Sequence, residues 1–403
     1  MYPDYPQSDA DLVPLPHCDG PKLAPFDFGG PQAIEFLEFL GEGLHAFVFK
    51  VAIHGQIYAL KLFRFVADVH WTTPNFGEFG PDCVEKSTAF YNYSEPFNCE
   101  CRAFGRLAEA GREDLALRCY GYVLLDEKHE RAMQAQFPHV NICSDIDRDY
   151  MPEESRLLFV GPDGSPPPIR GIVKQFGQPY DEEEVEVEGG DESQRLRPAH
   201  LRKMLRDVRA LQQIGIVAVD VASRQLVDGH ISDFSTAITV PHFITTPDLN
   251  PHLTPAMVKA LEYEFFDRTI NDYLEFDEMA TMWNQDHASG SPSARRRRLK
   301  VWAFPDGRGC WPKYRLREQD MKRVFTFVDP RQYDWKTRGW KTGGRKAKRR
   351  PPKMRRWVYN CDSVKAAERL RGPDTKLPGL SWEYRDGYIF PVMGPAQGPL
   401  IIG

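Results

Sequence analysis

No apolar run in this sequence approaches the roughly 18 residues that a membrane-spanning helix needs, which argues against a membrane partner. Eight cysteines are present but none form a C-x-x-C pair, the spacing that structural zinc sites use. Cys83, Cys99, Cys101 and Cys119 lie in or near expected regular structure and read as reduced thiols of an intracellular protein. The N-terminal stretch MYPDYPQSDADLVPLPHCDGP lacks the basic start and apolar core of a signal peptide. Acidic and rich in proline, residues 1–33 read as a disordered lead-in. No internal repeat is visible. What remains is an ordinary globular composition, 41% hydrophobic and 27% charged, over 403 residues, enough for two or three domains.

The net charge of −5 conceals a strong asymmetry. Residues 295–356 carry 23 Lys/Arg against 5 Asp/Glu, and the rest of the tail is balanced. Residues 1–294 are therefore strongly acidic, and a basic tail follows an acidic body.

Along the chain, FVFKVAI and QIYALKLF alternate as strands joined by a His54-Gly55 turn. CRAFGRLAEAG has helical spacing with a stop at Gly111. LRCYGYVLL and RGIVKQFG read as further strands, and Asp126 to about Ile169 as a long loop between them. DEEEVEVEGGDESQ is an acidic insert, 181–193, beyond a hinge expected near 173–178. PAHLRKMLRDVRALQQIG predicts a helix ending at Gly215. Short strands flank a turn at Asp228-Gly229, and a long helical stretch covers MVKALEYEFFDRTINDYLEFDEMATMWNQDH. The fold class is α+β: a small β-rich first lobe, then a mostly helical second one.

Four groups of residues carry candidate chemistry. Gly41, Gly43 and Val48 match a glycine-rich phosphate-covering loop, G-x-G-x-x-G-x-V, except that Ala46 stands at the third glycine. Lys61 in YALK sits on the next strand, where a V-A-I-K lysine would pair with nucleotide phosphates. Glu100 on the first helix is the first candidate for its carboxylate partner and Glu95 the second. Within QQIGIVAVDVASRQLVDGHISDF, Asp220 takes the position of the H-R-D aspartate, Gln225 that of the metal-binding asparagine, and Asp233 that of the D-F-G aspartate. Loop, lysine, glutamate and two aspartates follow one another in the order of a protein kinase.

Residues 34–285 resemble the protein-kinase-like fold, bilobal with an abbreviated helical C-lobe. CRAFGRLAEAGREDLALRCYGYVLL and DFSTAITVPHF are similar to a fungal family named for a subunit of the Sim4 kinetochore complex. The first resemblance implies ATP as ligand and Mg²⁺ held by Asp233 and Gln225. The second implies protein partners in a nuclear, centromere-associated complex.

This chain departs from the kinase pattern where catalysis is organised. Ala218 and Val219 replace the His and Arg of H-R-D, Gln225 adds a methylene, Ser235 replaces the last glycine, and no A-P-E follows. A scaffold or pseudokinase is therefore favoured, with an active Ser/Thr kinase using Asp220 as base the alternative. A third reading rests on the extension 286–403. Its segment 295–356, with Trp302, Trp311, Trp335, Trp340 and nearby Trp357 among the basic residues, suits nucleic acid, an import receptor, or the acidic body itself. WVYNCDSVKAAERL reads as a terminal helix and GLSWEYRDGYIFPV as a strand pair.

Overall fold

A computed structural model describes residues 8, 11–66, 84–142, 156, 164–180, 198–287, 301, 303, 323–333, 356–361, 380–385 and 388–393. In chain order its elements are β1 (Glu35–Glu42), β2 (Ala46–Ile53), β3 (Gln56–Phe63), α1 (Val84–Ser94), α2 (Pro96–Ala110), β4 (Cys119–Leu124), α3 (Glu127–Gln136) and β5 (Arg170–Gln175). There follow α4 (Pro198–Gln213), the two-residue strands β6 (Ile216–Val217), β7 (Leu226–Val227), β8 (His230–Ile231) and β9 (Ile238–Thr239), and α5 (Pro255–His287). The chain closes with β10 (Arg323–Val328), β11 (Arg356–Cys361), β12 (Leu380–Arg385) and β13 (Tyr388–Met393). They divide into two compact units, Met1–Pro179 with His230–Leu253, and Tyr180–Gly229 with Thr254–Gly403. The first division falls at Pro179, and the acidic insert 181–193 lies outside the described residues.

The first unit is built on a five-stranded antiparallel sheet in the order β1-β2-β3-β5-β4. Alternation in β2 buries Phe47, Phe49, Val51 and Ile53 on one face. Register then carries Val48, Lys61 and Ile172 across the other face, with Lys50, Ala59 and Lys174 in the neighbouring row. Helix α2 starts where Glu95 caps the N–H of Asn98 and Pro96 opens the first turn, and it stops at Gly111 in the left-handed conformation. Pro96 to Leu107 are all buried, so Glu100, Arg102 and Arg106 must find their partners inside the protein.

Three expectations change here. The lead-in is structured from residue 11: Leu15 and Leu23 are buried and bridge one another, and residues 24–26 exchange backbone hydrogen bonds with Tyr122. Its proline content forbids a helix but not an extended strip against the outer edge of β4, where unpaired strand groups need partners. The loop expected from Asp126 to Ile169 contains α3, begun by Asp126, whose carboxylate accepts the N–H of His129 at 2.8 Å. The start of the expected C-terminal helix is instead β11, which pairs with β10.

In the second unit, α4 and α5 form where the helical spacing predicts them. Asp228 and Gly229 both take positive φ, as the turn expected there requires. β12 and β13 form the expected closing strand pair. Most of the basic segment 295–356, with Trp302, Trp311, Trp335 and Trp340, lies outside the described residues. Its described parts are not simply solvated: Val301 and Ala303 are buried, and the carbonyl of Ala303 accepts from Arg209 of α4 at 3.1 Å.

Candidate functional site

In the first unit, strand β3 delivers Lys61 to a closed set of charges. Its Nζ lies 2.8 Å from Glu100 Oε2 of α2 and 2.7 Å from Asp233 Oδ1. Glu95, the second candidate partner, is committed elsewhere: it caps α2 and pairs with buried Arg170 at 2.6 Å. A group that sequence reasoning missed completes the set. Lys174 of β5 forms an ion pair with Glu100 Oε1 and donates to the carbonyl of Ser232 at 2.7 Å. A lysine inside the apolar strand RGIVKQFG was the available signal. Glu100 is fully buried, and the side chains of Lys61 and Lys174 are 8% and 6% exposed.

Electrostatics follow from this enclosure. Burial alone would lower the Lys61 ammonium, but Asp233 and Glu100 outweigh it and hold the group above the ordinary lysine value. Burial alone would raise Asp233, but Lys61 and Lys174, with the N–H of Ser235 at 2.8 Å, hold its carboxyl far below the usual range. Asp233 stays fixed because its neighbour Phe234 is buried edge-on against Phe104 of α2, ring centroids 5.3 Å apart. Ser235, at the position of the lost glycine, takes its hydroxyl to 3.1 Å from His45 Nδ1.

The segment after Asp233 is anchored to α2 as well. Arg102, stacked over Tyr93, donates to the carbonyls of Thr239 and Pro241 and, at 2.8 Å, to that of Asp19 in the lead-in. Arg106 donates to the carbonyl of Val240. His242 is pushed down to about 3 by burial and by Arg102, so it is neutral at physiological pH.

The glycine loop is the turn between β1 and β2. The Gly43 N–H donates to Ala46 O at 2.9 Å, and Gly41 has φ 151°, a conformation open to glycine. A side chain at either glycine would meet nothing within 4 Å, so the backbone lies open on that side. Val48 pairs in register with both Gly41 and Lys61. Loop, lysine, Glu100 and Asp233 thus share one unit.

Asp220 and Gln225 belong to the second unit. Asp220 accepts from Arg224 at 2.7 and 2.8 Å and from Gln225 Nε2 at 2.7 Å. The Gln225 amide therefore faces a carboxylate with its NH₂ group. The loop backbone is held from α5: Asp272 accepts the N–H groups of Ala218 and Val219 at 3.1 and 2.7 Å, and Glu275 that of Val221 at 2.9 Å. Val219 is left at φ 71°, a strained conformation for a β-branched residue. Burial, against the hydrogen bonds from Gln212, Val219 and Ala218, raises Asp272 to about 7. Burial likewise raises Glu275 to about 7, against the Val221 N–H.

Each expected metal ligand is engaged within its own unit. Asp233 Oδ1 is already shared by an ammonium and a backbone N–H, and Gln225 offers Asp220 its amide nitrogen. Among the described residues no group of three or more His, Cys, Asp or Glu could hold a metal ion.

The architecture is thus a mixed α+β protein whose sheet carries a buried lysine-carboxylate cluster. The family model for kinetochore Sim4 complex subunit FTA2 matches residues 12–238, more than half of the chain, so the chain belongs to that family. No curated protein matches it.

Proposed function

We propose that this chain is a kinase-like nucleotide-binding scaffold subunit of a nuclear, centromere-associated kinetochore complex. The family supports the setting, because its name is that of a Sim4 complex subunit. The ion-paired triad of Lys61, Glu100 and Asp233 supports the nucleotide reading. A lysine fixed by a helix carboxylate on one side and an aspartate on the other is what holds nucleotide phosphates in kinase-like proteins. Gly41 and Gly43 leave an open backbone at the neighbouring turn. ATP is the ligand that the arrangement suits.

The scaffold role, rather than phosphoryl transfer, rests on the loop around Asp220. Its backbone is fastened by Asp272, but the His and Arg side chains of the catalytic pattern are replaced by Ala218 and Val219. Asp220 faces Arg224 and Gln225, which compete for the lone pairs a general base would use.

Titration of the full chain with ATP, followed by thermal shift, tests the reading. ATP should raise the melting temperature of the wild type and leave Lys61→Ala unmoved; a ligand at 100 times its Kd adds about 2.7 kcal/mol. Equal shifts in both proteins would remove Lys61 from the site. A peptide-array assay should find no turnover that Asp220→Asn abolishes; robust turnover would make the chain a kinase. The excess of Lys/Arg in 295–356 supports an additional anionic partner, nucleic acid or import receptor, for the tail. Removing residues 295–403 should abolish DNA and RNA binding or nuclear import, and retention of both would end that reading.

A further inference from the structure

Kinase-like phosphate sites with a single lysine leave a net negative charge, because one ammonium faces a glutamate and an aspartate. A divalent cation must offset that charge before a polyphosphate can approach. In this protein the ledger of charges is different. Two ammonium groups, Lys61 and Lys174, face two carboxylates, Glu100 and Asp233, and the cluster is neutral by itself.

The four groups are not equivalent in position. Glu100 is wholly buried and holds one lysine on each of its oxygens. Lys174 is nearly as deep, and its second contact, to the carbonyl of Ser232, ties it to the residue just before Asp233. Asp233 is the open member, its side chain 35% exposed, with Lys61 beside it. An anion arriving from the open side can therefore draw Lys61 away from Asp233 without stripping Glu100, whose charge remains balanced by Lys174. A divalent ion arriving there would meet two ammonium groups and an aspartate oxygen already engaged by Lys61 and by the N–H of Ser235.

We propose that Lys174 is a built-in counter-charge, a positioning residue that lets nucleotide phosphate bind at Lys61 without a divalent cation. This rests on the nucleotide reading above and specifies its cofactor requirement. It also accounts for a buried lysine in a strand where an apolar residue would otherwise pack.

The experiment is isothermal titration calorimetry of ATP into the full-length protein, once with a chelator and once with excess Mg²⁺. The wild type should give dissociation constants within about threefold of each other in the two buffers. Lys174→Met restores the negative balance; it should bind at least about tenfold more weakly with chelator than with Mg²⁺. Lys174→Arg should behave as the wild type. A wild type that loses ATP on chelation but binds it with Mg²⁺ overturns the counter-charge proposal and leaves the nucleotide reading standing. Absence of binding in both buffers overturns both. Equal weakening of Lys174→Met in the two buffers makes the lysine merely structural and also overturns the proposal. The wild-type comparison needs no variant, so a folding defect in Lys174→Met cannot rescue or sink it alone.

Discussion

Asp233 in the first unit and Asp272 in the second are both acids beside a backbone that carries candidate chemistry, yet their surroundings push them in opposite directions. Asp233 sees two ammonium groups and is held ionised at any physiological pH. Asp272 sees only neutral donors, the amide of Gln212 and the N–H groups of Ala218 and Val219. Burial then dominates and lifts it to about 7. The contrast is that the fully buried carboxylate, facing neutral donors and the like charge of Asp220, is raised, whereas the partly exposed one beside two ammonium groups is lowered. The first unit is thus closed by ion pairs, and the second is fastened by acids that titrate near neutrality.

The sharpest way to break the comparison is at Glu100. Glu100→Ala leaves Lys61 and Lys174 buried with no carboxylate between them. Removing one partner of a buried pair costs about 3–5 kcal/mol, so urea denaturation should show a loss of that size. A loss below about 1 kcal/mol would mean that the cluster is wetter than its burial implies.

Next comes Gly105, inside α2. In an ordinary helix Gly→Ala gains about 1 kcal/mol. Here a Cβ would lie 2.5 Å from Lys22 O and 2.6 Å from Lys22 C, backbone atoms of the lead-in. Gly105→Ala should therefore destabilise by about 1–3 kcal/mol, the range for overpacking, and make the lead-in cleavable by protease. A stabilised Gly105→Ala would show that the lead-in does not hold this strip.

The third test is of pH. Asp272 and Glu275 have folded values raised from 3.8 and 4.5 to about 7. Between those limits the native state binds more protons than the unfolded one, so stability falls as pH rises through the window. The fall should exceed about 1 kcal/mol and be shallower in Asp272→Asn, read as denaturation midpoints at several pH values. Asp233 has the reverse sign: its depressed value contributes stability above about 3.8 that is lost only as the solution becomes strongly acidic.

The smallest effect is expected at Val219. Valine at φ 71° is strained, and Val219→Gly relieves it while adding freedom to the unfolded chain. Val219 is buried, so the lost packing of its side chain opposes that relief and the net change should lie within about 1 kcal/mol, whereas Val219→Ile should not stabilise. A large loss for glycine would show that the packing of the buried valine side chain outweighs its backbone strain.

Much of this was legible in the residues. The period-two alternation of β2 and β3, the Gly111 stop of α2 and the amphipathic runs of α4 and α5 are local patterns, and local physics makes them. The spacing of Gly41, Gly43, Lys61, Glu100 and Asp233 pointed to one another because each sits at a characteristic place on its own element. Less was legible where a residue's partner is distant in sequence. The lead-in looked unstructured because its prolines and acids promise no helix or core, but the exposed edge of β4 supplies the pairing that the segment could not supply to itself. α3 is polar and short, with a weak pattern, and only its Asp126 cap marks it.

What the sequence determined by itself is therefore most of the regular elements, the acidic body with its basic tail, and the candidate charges in their order. Tertiary structure decided which charges meet. Glu95 and Glu100 are both acids at the start of one helix, but helical geometry turns Glu100 toward Lys61 and leaves Glu95 to cap the helix and pair with Arg170. Lys174 looked like any strand lysine until β5 was placed beside β3, in the row next to Lys61, with α2 over that face. A charge's role depends on what surrounds it within a few ångströms, and those neighbours come from segments 39 to 172 residues away along the chain, beyond the reach of any local pattern.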